Sequence, residues 1–284
     1  MDTQSAATNA LKRLSSGSFD PRSFGIVDGI AYAAERRRSL SASEVFSAAA
    51  LGPLMELIHL SQDGLVPPLN DVPWLVLANA EKFYSAVCDG CSLWLSSDRH
   101  GSVGLFRVSP EKRVDGEPWF KFANAAKEAA ERAGFHRETS LQLAAALVEV
   151  IDNVQIHSEQ LETGIAAFRS RAWRFEFSVF DRGVGVLSTL RQNPDFSYLK
   201  DHGDALELAL KDGYSKFGPN SNHGHGFKPL FKGLSNLKGS LRFRSGDHAL
   251  TIDGRNPMNI PWQKAAKAPI SGFFVSVSCD CKAR

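Results

Sequence analysis

A chain of 284 residues, 43% hydrophobic and 23% charged, holds enough apolar material for a sizeable core, which excludes disorder as the main state. At about 150 residues per domain, the length fits one large domain or two ordinary ones. With 33 basic against 31 acidic residues, the net charge of +2 creates no field toward nucleic acid or an anionic membrane, and four cysteines are too few for a disulfide framework.

The N-terminus, Met1-Asp2-Thr3-Gln4-Ser5, lacks the basic and apolar regions of a secretory signal. The most apolar stretches, Ala48–Leu60 and Val72–Ala80, are interrupted by Pro53, Glu56 and His59 or are too short to span a bilayer. The expectation is a soluble, reduced, cytoplasmic protein with neither a membrane nor a nucleic acid as partner.

In chain order, residues 3–14 read as a weak helix and 15–24 as a loop. Ile26 to Ala86 is mostly helical. Ser43-Glu44 opens one helix, with Val45, Ala49, Leu54, Leu57, Ile58 and Leu60 on its apolar face. Gly52-Pro53 should kink or split it, and Val72–Ala86 forms another. Cys91–Leu95 and Gly104–Val108 read as a hairpin. The charged segment Ser109–Glu117 marks a domain boundary near residue 113.

Beyond it come helices over Trp119–Ala133 and Leu141–His157, then paired strands Ile165–Arg169 and Trp173–Phe180. Asp204–Lys211 and Phe227–Leu237 are helical, with a Gly/Pro/Asn/Ser-rich loop at Lys211–Asn222. Leu241–Arg244, Ala249–Ile252 and Gly272–Cys279 are strands. The order predicts an α+β protein, with helices on one face of a mixed sheet.

Three constellations carry chemistry. On the Leu141–His157 helix, Glu149, Asn153 and His157 stand at i, i+4 and i+8 and share one face. Leu143, Leu147, Val150, Ile151 and Val154 form the apolar face opposite. An acid, an amide and an imidazole can present a base and a hard oxygen ligand suited to Mg²⁺; a solvated polar face is the plain alternative. Next, Asp181-Arg182-Gly183-Val184-Gly185 follows an apolar strand. Its carboxylate can accept from an exocyclic amine while the glycines let a planar ring approach the backbone; an ordinary turn also explains it. Last, Asn222-His223-Gly224-His225-Gly226-Phe227-Lys228-Pro229 places two glycines before a helix, with Pro229 in its first turn. Free N–H groups there, with Lys228, suit an anion, although a plain Gly-rich helix start fits too.

In this order and spacing the three motifs resemble the GHKL (Bergerat-fold) ATPases, the superfamily of gyrase, the heat-shock chaperone, histidine kinases and the mismatch-repair ATPase. The resemblance covers roughly residues 115–281. It implies a two-layer α/β sandwich, the Bergerat ATP-binding fold, over residues 114–284. Residues 1–113 would precede it as a mainly helical accessory or partner-binding domain.

The resemblance also implies the roles. Asn153 would hold Mg²⁺, and Glu149 would be the catalytic carboxylate that orients or deprotonates the attacking group. Asp181 would hold the adenine amine beside Gly183 and Gly185. Gly224 and Gly226 would cradle the phosphates of ATP near Lys228, and Leu187–His223 would form a flexible lid. Lys216 in Asp212-Gly213-Tyr214-Ser215-Lys216 would reach a phosphate or remain a solvated loop lysine.

The chain departs from the family at Gly272-Phe273, where Gly-Thr is usual and the Thr supports the adenine-binding acid. That support is lost or comes from elsewhere. No phosphoacceptor box is evident, and His59 reads as a helix-surface or core histidine. With the chain ending just after the Gly272–Cys279 strand, the stand-alone regulatory members are the best match: small kinases and ATP-dependent switch proteins. The implied function is Mg²⁺-dependent ATP binding, with hydrolysis or transfer of the γ-phosphate to a protein partner met through the N-terminal domain or the lid. An ATP-sensing interaction module with incidental turnover, or a degenerate member that binds no nucleotide, are the alternatives.

Weaker signals point nowhere further. Cys88/Cys91 and Cys279/Cys281 read as free thiols more readily than as a zinc site. Arg36-Arg37-Arg38 reads as a solvated helix end. Arg242 and Arg244 alternate with Leu241 and Phe243, which places them on the solvent face of a strand.

Overall fold

The computed structural model describes residues 21–35, 50–66, 80–99, 101–108, 116–210, 239–253 and 262–281. Seven α-helices and six strands lie within them: α1 (Pro21–Glu35), α2 (Leu51–Gln62), α3 (Ala80–Cys88), β1 (Leu93–Asp98), β2 (Gly101–Arg107), α4 (Glu117–Arg132), α5 (Arg137–His157), β3 (Ile165–Arg171), β4 (Arg174–Asp181), α6 (Gly185–Arg191), α7 (His202–Ala209), β5 (Ser240–Asp253) and β6 (Gln263–Asp280). The protein is α+β, and among the described residues no helix is long and apolar enough to cross a membrane.

The strands form one sheet in the order β1-β2-β3-β4-β6-β5, antiparallel at every pairing. Among the described residues the sheet is thus wholly antiparallel rather than mixed as expected from sequence, and helices cover both faces rather than one. On the first face α4 and α5 bury Trp119, Phe122, Leu147 and Val154 against Phe106, Phe168, Phe175, Phe177 and Val179. On the other, α1, α2 and α3 pack Ile30, Leu54, Ile58 and Phe83 against Leu105, Ile165, Phe180 and Phe274. Because strand side chains alternate, β4 sends Phe177 and Val179 one way and Phe180 the other. The ladder β2·β3 joins residues on both sides of the expected boundary near 113 into this single sheet.

Local chemistry accounts for several features of these elements. Apolar positions 143, 147, 150, 151 and 154 give α5 one buried stripe. Gly52 and Pro53 lie in the first turn of α2, where a missing N–H costs nothing, so this pair stands at a helix start. Asp201 caps α7 by accepting from the Asp204 amide at 2.9 Å. The two strands expected around residue 246 are one, β5, with a register shift at Gly246, whose φ of +55 suits glycine.

Arg242 and Arg244 overturn their sequence expectation. Their side chains are 3% and 0% exposed and point under the α1–α2 layer, not into solvent. Arg242 grips Glu56 of α2 through Nε–H and Nη2–H at 2.8 and 2.9 Å, and also donates to Asp28 of α1. Arg244 donates to Glu56 as well, and Lys267 of β6 pairs with Asp28 at 2.7 Å. Burial pushes the Asp28 carboxyl up, but the cations Arg242, Lys267 and Arg244 outweigh it and hold the acid below its ordinary range. The alternation reading failed here because the apparent solvent face of β5 is the face covered by a second helical layer.

Removing one partner of a buried ion pair costs about 3–5 kcal/mol, because the remaining charge stays desolvated. Glu56→Gln is expected to lower Tm by roughly 6 °C or more in thermal unfolding. Glu117→Gln, which breaks an exposed i,i+4 pair with Lys121, is expected to leave Tm unchanged.

Candidate functional site

The first-face core ends where the C-terminus of α5 meets the turn after β4. Asp181 is the last residue of β4 and is 1% exposed. Its Oδ1 accepts from the Gly183 amide at 2.6 Å and from Ser158 Oγ–H at 2.9 Å. Its Oδ2 is buried and has no hydrogen-bond partner. Burial raises the carboxyl pKa to about 6, against the lowering effect of the Gly183 and Ser158 donors. A folded acid with a raised pKa contributes its full stability below the ordinary value of 3.8 and loses it as pH rises to about 6. Above that pH the ionised, half-satisfied carboxylate destabilises the free protein by about 3 kcal/mol.

The turn is fixed from every side. Val184 N–H donates to the Ser158 carbonyl at 3.1 Å, and Gly272 N–H to the Gly183 carbonyl at 2.9 Å. Arg182 N–H donates to Thr163 Oγ1 at 2.9 Å. Ser245 Oγ receives the Val186 amide at 3.0 Å and donates to the Gly272 carbonyl at 2.7 Å, tying the start of α6 to β5 and β6. A Cβ at 183 would land on the Ser158 carbonyl oxygen, and Gly185 has φ +75. Both glycines are needed by the close approach and the backbone they adopt.

Ser158 supplies what position 273 lacks. Phe273 is buried and stands opposite Asp181 in the β4·β6 register, so its ring fills core and offers the acid no hydroxyl. The hydroxyl comes instead from the residue just past the end of α5. The sequence signal for this role is a hydroxyl at a helix terminus that must meet a strand-end acid.

On α5 the polar face is present. Asn153 Nδ2–H donates to the Glu149 carbonyl at 2.8 Å, which leaves the amide oxygen directed away from the helix backbone. Glu149 is exposed, while Asn153 and His157 are half-buried. Asp152, one residue from Asn153, was not singled out from sequence. Burial and the neighbouring Glu149 raise its pKa to about 6. A helix rises about 1.5 Å per residue, so Glu149 lies roughly 13 Å along the axis from Ser158.

Asp181 and Gly183 thus meet at the Ser158 end of α5, next to Gly185, and Glu149 and Asn153 stand further back on that helix, on the same side of the sheet. Lys216, Gly224, Gly226 and Lys228 lie outside the described residues, as does the Phe227–Leu237 helix. The part of the expected lid that is described, from Leu187 to Leu210, contains α6 and α7 with a small core of Leu187, Leu190, Phe196, Leu199, Ala205 and Leu208. That part is packed structure rather than loop. All four cysteines are free, and among the described residues no group of three or more His, Cys, Asp and Glu side chains is placed to hold a metal ion. His59 is fully buried and stacks on Phe180 at 4.7 Å, and burial lowers its pKa to about 4, so it is a neutral core residue.

No protein-family model, curated protein or solved structure matches the chain.

Ser158→Ala removes one of the two donors to Asp181. The Asp181 pKa followed by carboxyl NMR is expected to rise above the wild-type value, and stability above pH 6 to fall by about 1–2 kcal/mol.

Proposed function

We propose that the chain is a Mg²⁺-dependent ATP-binding protein of the histidine-kinase-like ATPase type. It acts in the cytoplasm, hydrolysing ATP or passing the γ-phosphate to a protein partner in a regulatory role. The observation that carries this reading is the single open oxygen of Asp181. A buried carboxylate held on Oδ1 by Ser158 and Gly183, with Oδ2 unpartnered, needs one donor. An exocyclic amine of adenine supplies one, and in the resemblance Gly183 and Gly185 border the ring. The sheet with α4 and α5 serves as the Bergerat-type layer in this reading.

The residues on α5 fit a hard divalent cation. The Asn153 amide oxygen would hold Mg²⁺ together with nucleotide phosphates, as is usual for this ion. Bound there, Mg²⁺ would neutralise charge on the phosphates. Glu149, one turn earlier on the same face, would accept the proton of the attacking water or side-chain hydroxyl. From the sequence resemblance, Gly224, Gly226, Lys228 and Lys216 would contact the phosphates.

Calorimetric titration with a non-hydrolysable ATP analogue and Mg²⁺ tests the adenine contact. Asp181→Asn turns an amide donor toward the amine, and affinity is expected to fall about 10- to 100-fold. Absence of binding to the wild type overturns the reading. The pH dependence has a defined sign. The amine favours ionised Asp181, whereas the free protein holds the proton up to about pH 6. Affinity should therefore fall as pH drops from 7.5 through 6, with a proton released on binding near pH 6. Asp181→Asn should flatten that profile.

Glu149→Ala separates turnover from sensing. Its ATP affinity should be unchanged while turnover falls roughly 10²- to 10⁴-fold. If the wild type binds ATP without turnover, the ATP-sensing module replaces the enzyme.

A further inference from the structure

A cavity lies on the other face of the sheet from Asp181, at the rim of the α1–α3 layer. Its volume is about 490 Å³, and it is lined by Ile58, Gln62, Val87 and Cys88 with the guanidiniums of Arg107 and Arg182, among others. That volume is in the range of small-molecule sites. Among the described residues no carboxylate lines it.

The two arginines are held in place but not saturated. Arg107 Nη2–H donates to the Val87 carbonyl at 2.7 Å, near the end of α3. Arg182 Nη1–H donates to the Gln62 carbonyl at 2.8 Å, at the end of α2. Helix C-termini favour such cations and fix their direction. The Nε–H of each guanidinium is buried and has no acceptor. Burial and the like charge of Arg182 both push the Arg107 pKa down. Two neighbouring guanidiniums in a cavity that no carboxylate lines among the described residues form half of an ionic site. The missing half is an acceptor-rich anion, since guanidinium forks match carboxylate and phosphate oxygens.

We propose that this cavity binds a small organic anion, whose carboxylate or phosphate bridges Arg107 and Arg182 and whose apolar part rests on Ile58 and Val87. Asp181 projects to the opposite face, so the site does not depend on a nucleotide there.

Phenyl phosphate and benzoate are the probes, titrated into the full chain without nucleotide. Each offers an anionic head on an apolar ring, and the tighter of the two names the head group. Saturable binding is expected for at least one, weakened tenfold or more by Arg107→Gln and by Arg182→Gln. Cys88 lines the cavity and its residue is exposed, so the bound probe should also slow its alkylation by iodoacetamide in the wild type. Cys281, packed against the first-face core, serves as the reference thiol whose rate should not change. Cys88 protection reads the site without relying on a folded variant. Binding that leaves Cys88 unprotected, equal affinity in folded Arg107→Gln and Arg182→Gln, or no binding by either probe overturns the proposal. None of these outcomes bears on ATP binding at Asp181, which the analogue titration reads separately.

Discussion

The fold depends on a buried ion cluster that fastens a second helical layer to the sheet. Glu56 from α2 and Asp28 from α1 meet Arg242 and Arg244 from β5, with Lys267 of β6 on the outer side. Arg242 also lies over the Phe24 ring, with its guanidinium carbon 4.6 Å from the ring centroid. Charges so buried are costly unless each finds a partner, and a mispacked layer would leave several unpaired at once. The apolar residues of α2 would tolerate many arrangements against a sheet face; the positions of Glu56, Arg242 and Arg244 restrict them. Burial of that face is what makes the sheet the middle layer of three.

Two buried acids show how the same chemistry serves different ends. Glu56 has both oxygens engaged by guanidiniums and is part of the fold. Asp181 has one oxygen engaged and one open, and burial raises its pKa to about 6. An apolar residue at the end of β4 would avoid that destabilisation. The acid is instead surrounded by devices that hold it fast: the Ser158 hydroxyl, the Gly183 amide, and a turn tied to Thr163, Ser245 and Gly272. A destabilising group in a rigid setting is what the proposed nucleotide contact would account for.

Much of this was legible in sequence where a single face decided the pattern. The apolar stripe of α5 and the alternation Phe175, Phe177, Val179 could be read because each buries against one layer. The readings that failed concern second layers. Arg242 and Arg244 alternate with apolar residues as a solvated strand would, and nothing local in β5 shows that Asp28 and Glu56 lie some 190 to 210 positions away to receive them. The all-antiparallel order of the sheet was also hidden, because strand direction depends on how distant segments meet. In the candidate site, Asp181, Asn153 and Glu149 could be named from motif spacing. Ser158 offered only the signal of a helix-end hydroxyl, and Asp152 none, since their environment comes from tertiary contact.

One strand end serves both faces. Side chains alternate along β4, so Asp181 turns toward α5 and Arg182 toward the ends of α2 and α3. The Arg182 peptide is itself held by Thr163, which fixes the two directions relative to each other. A substitution that slipped this turn by one residue would exchange the faces. It would bury a guanidinium beside Ser158 and leave a carboxylate near the carbonyls of Gln62 and Val87, unfavourable on both sides. The register of the Asp-Arg-Gly segment is therefore set by charge on two layers at once.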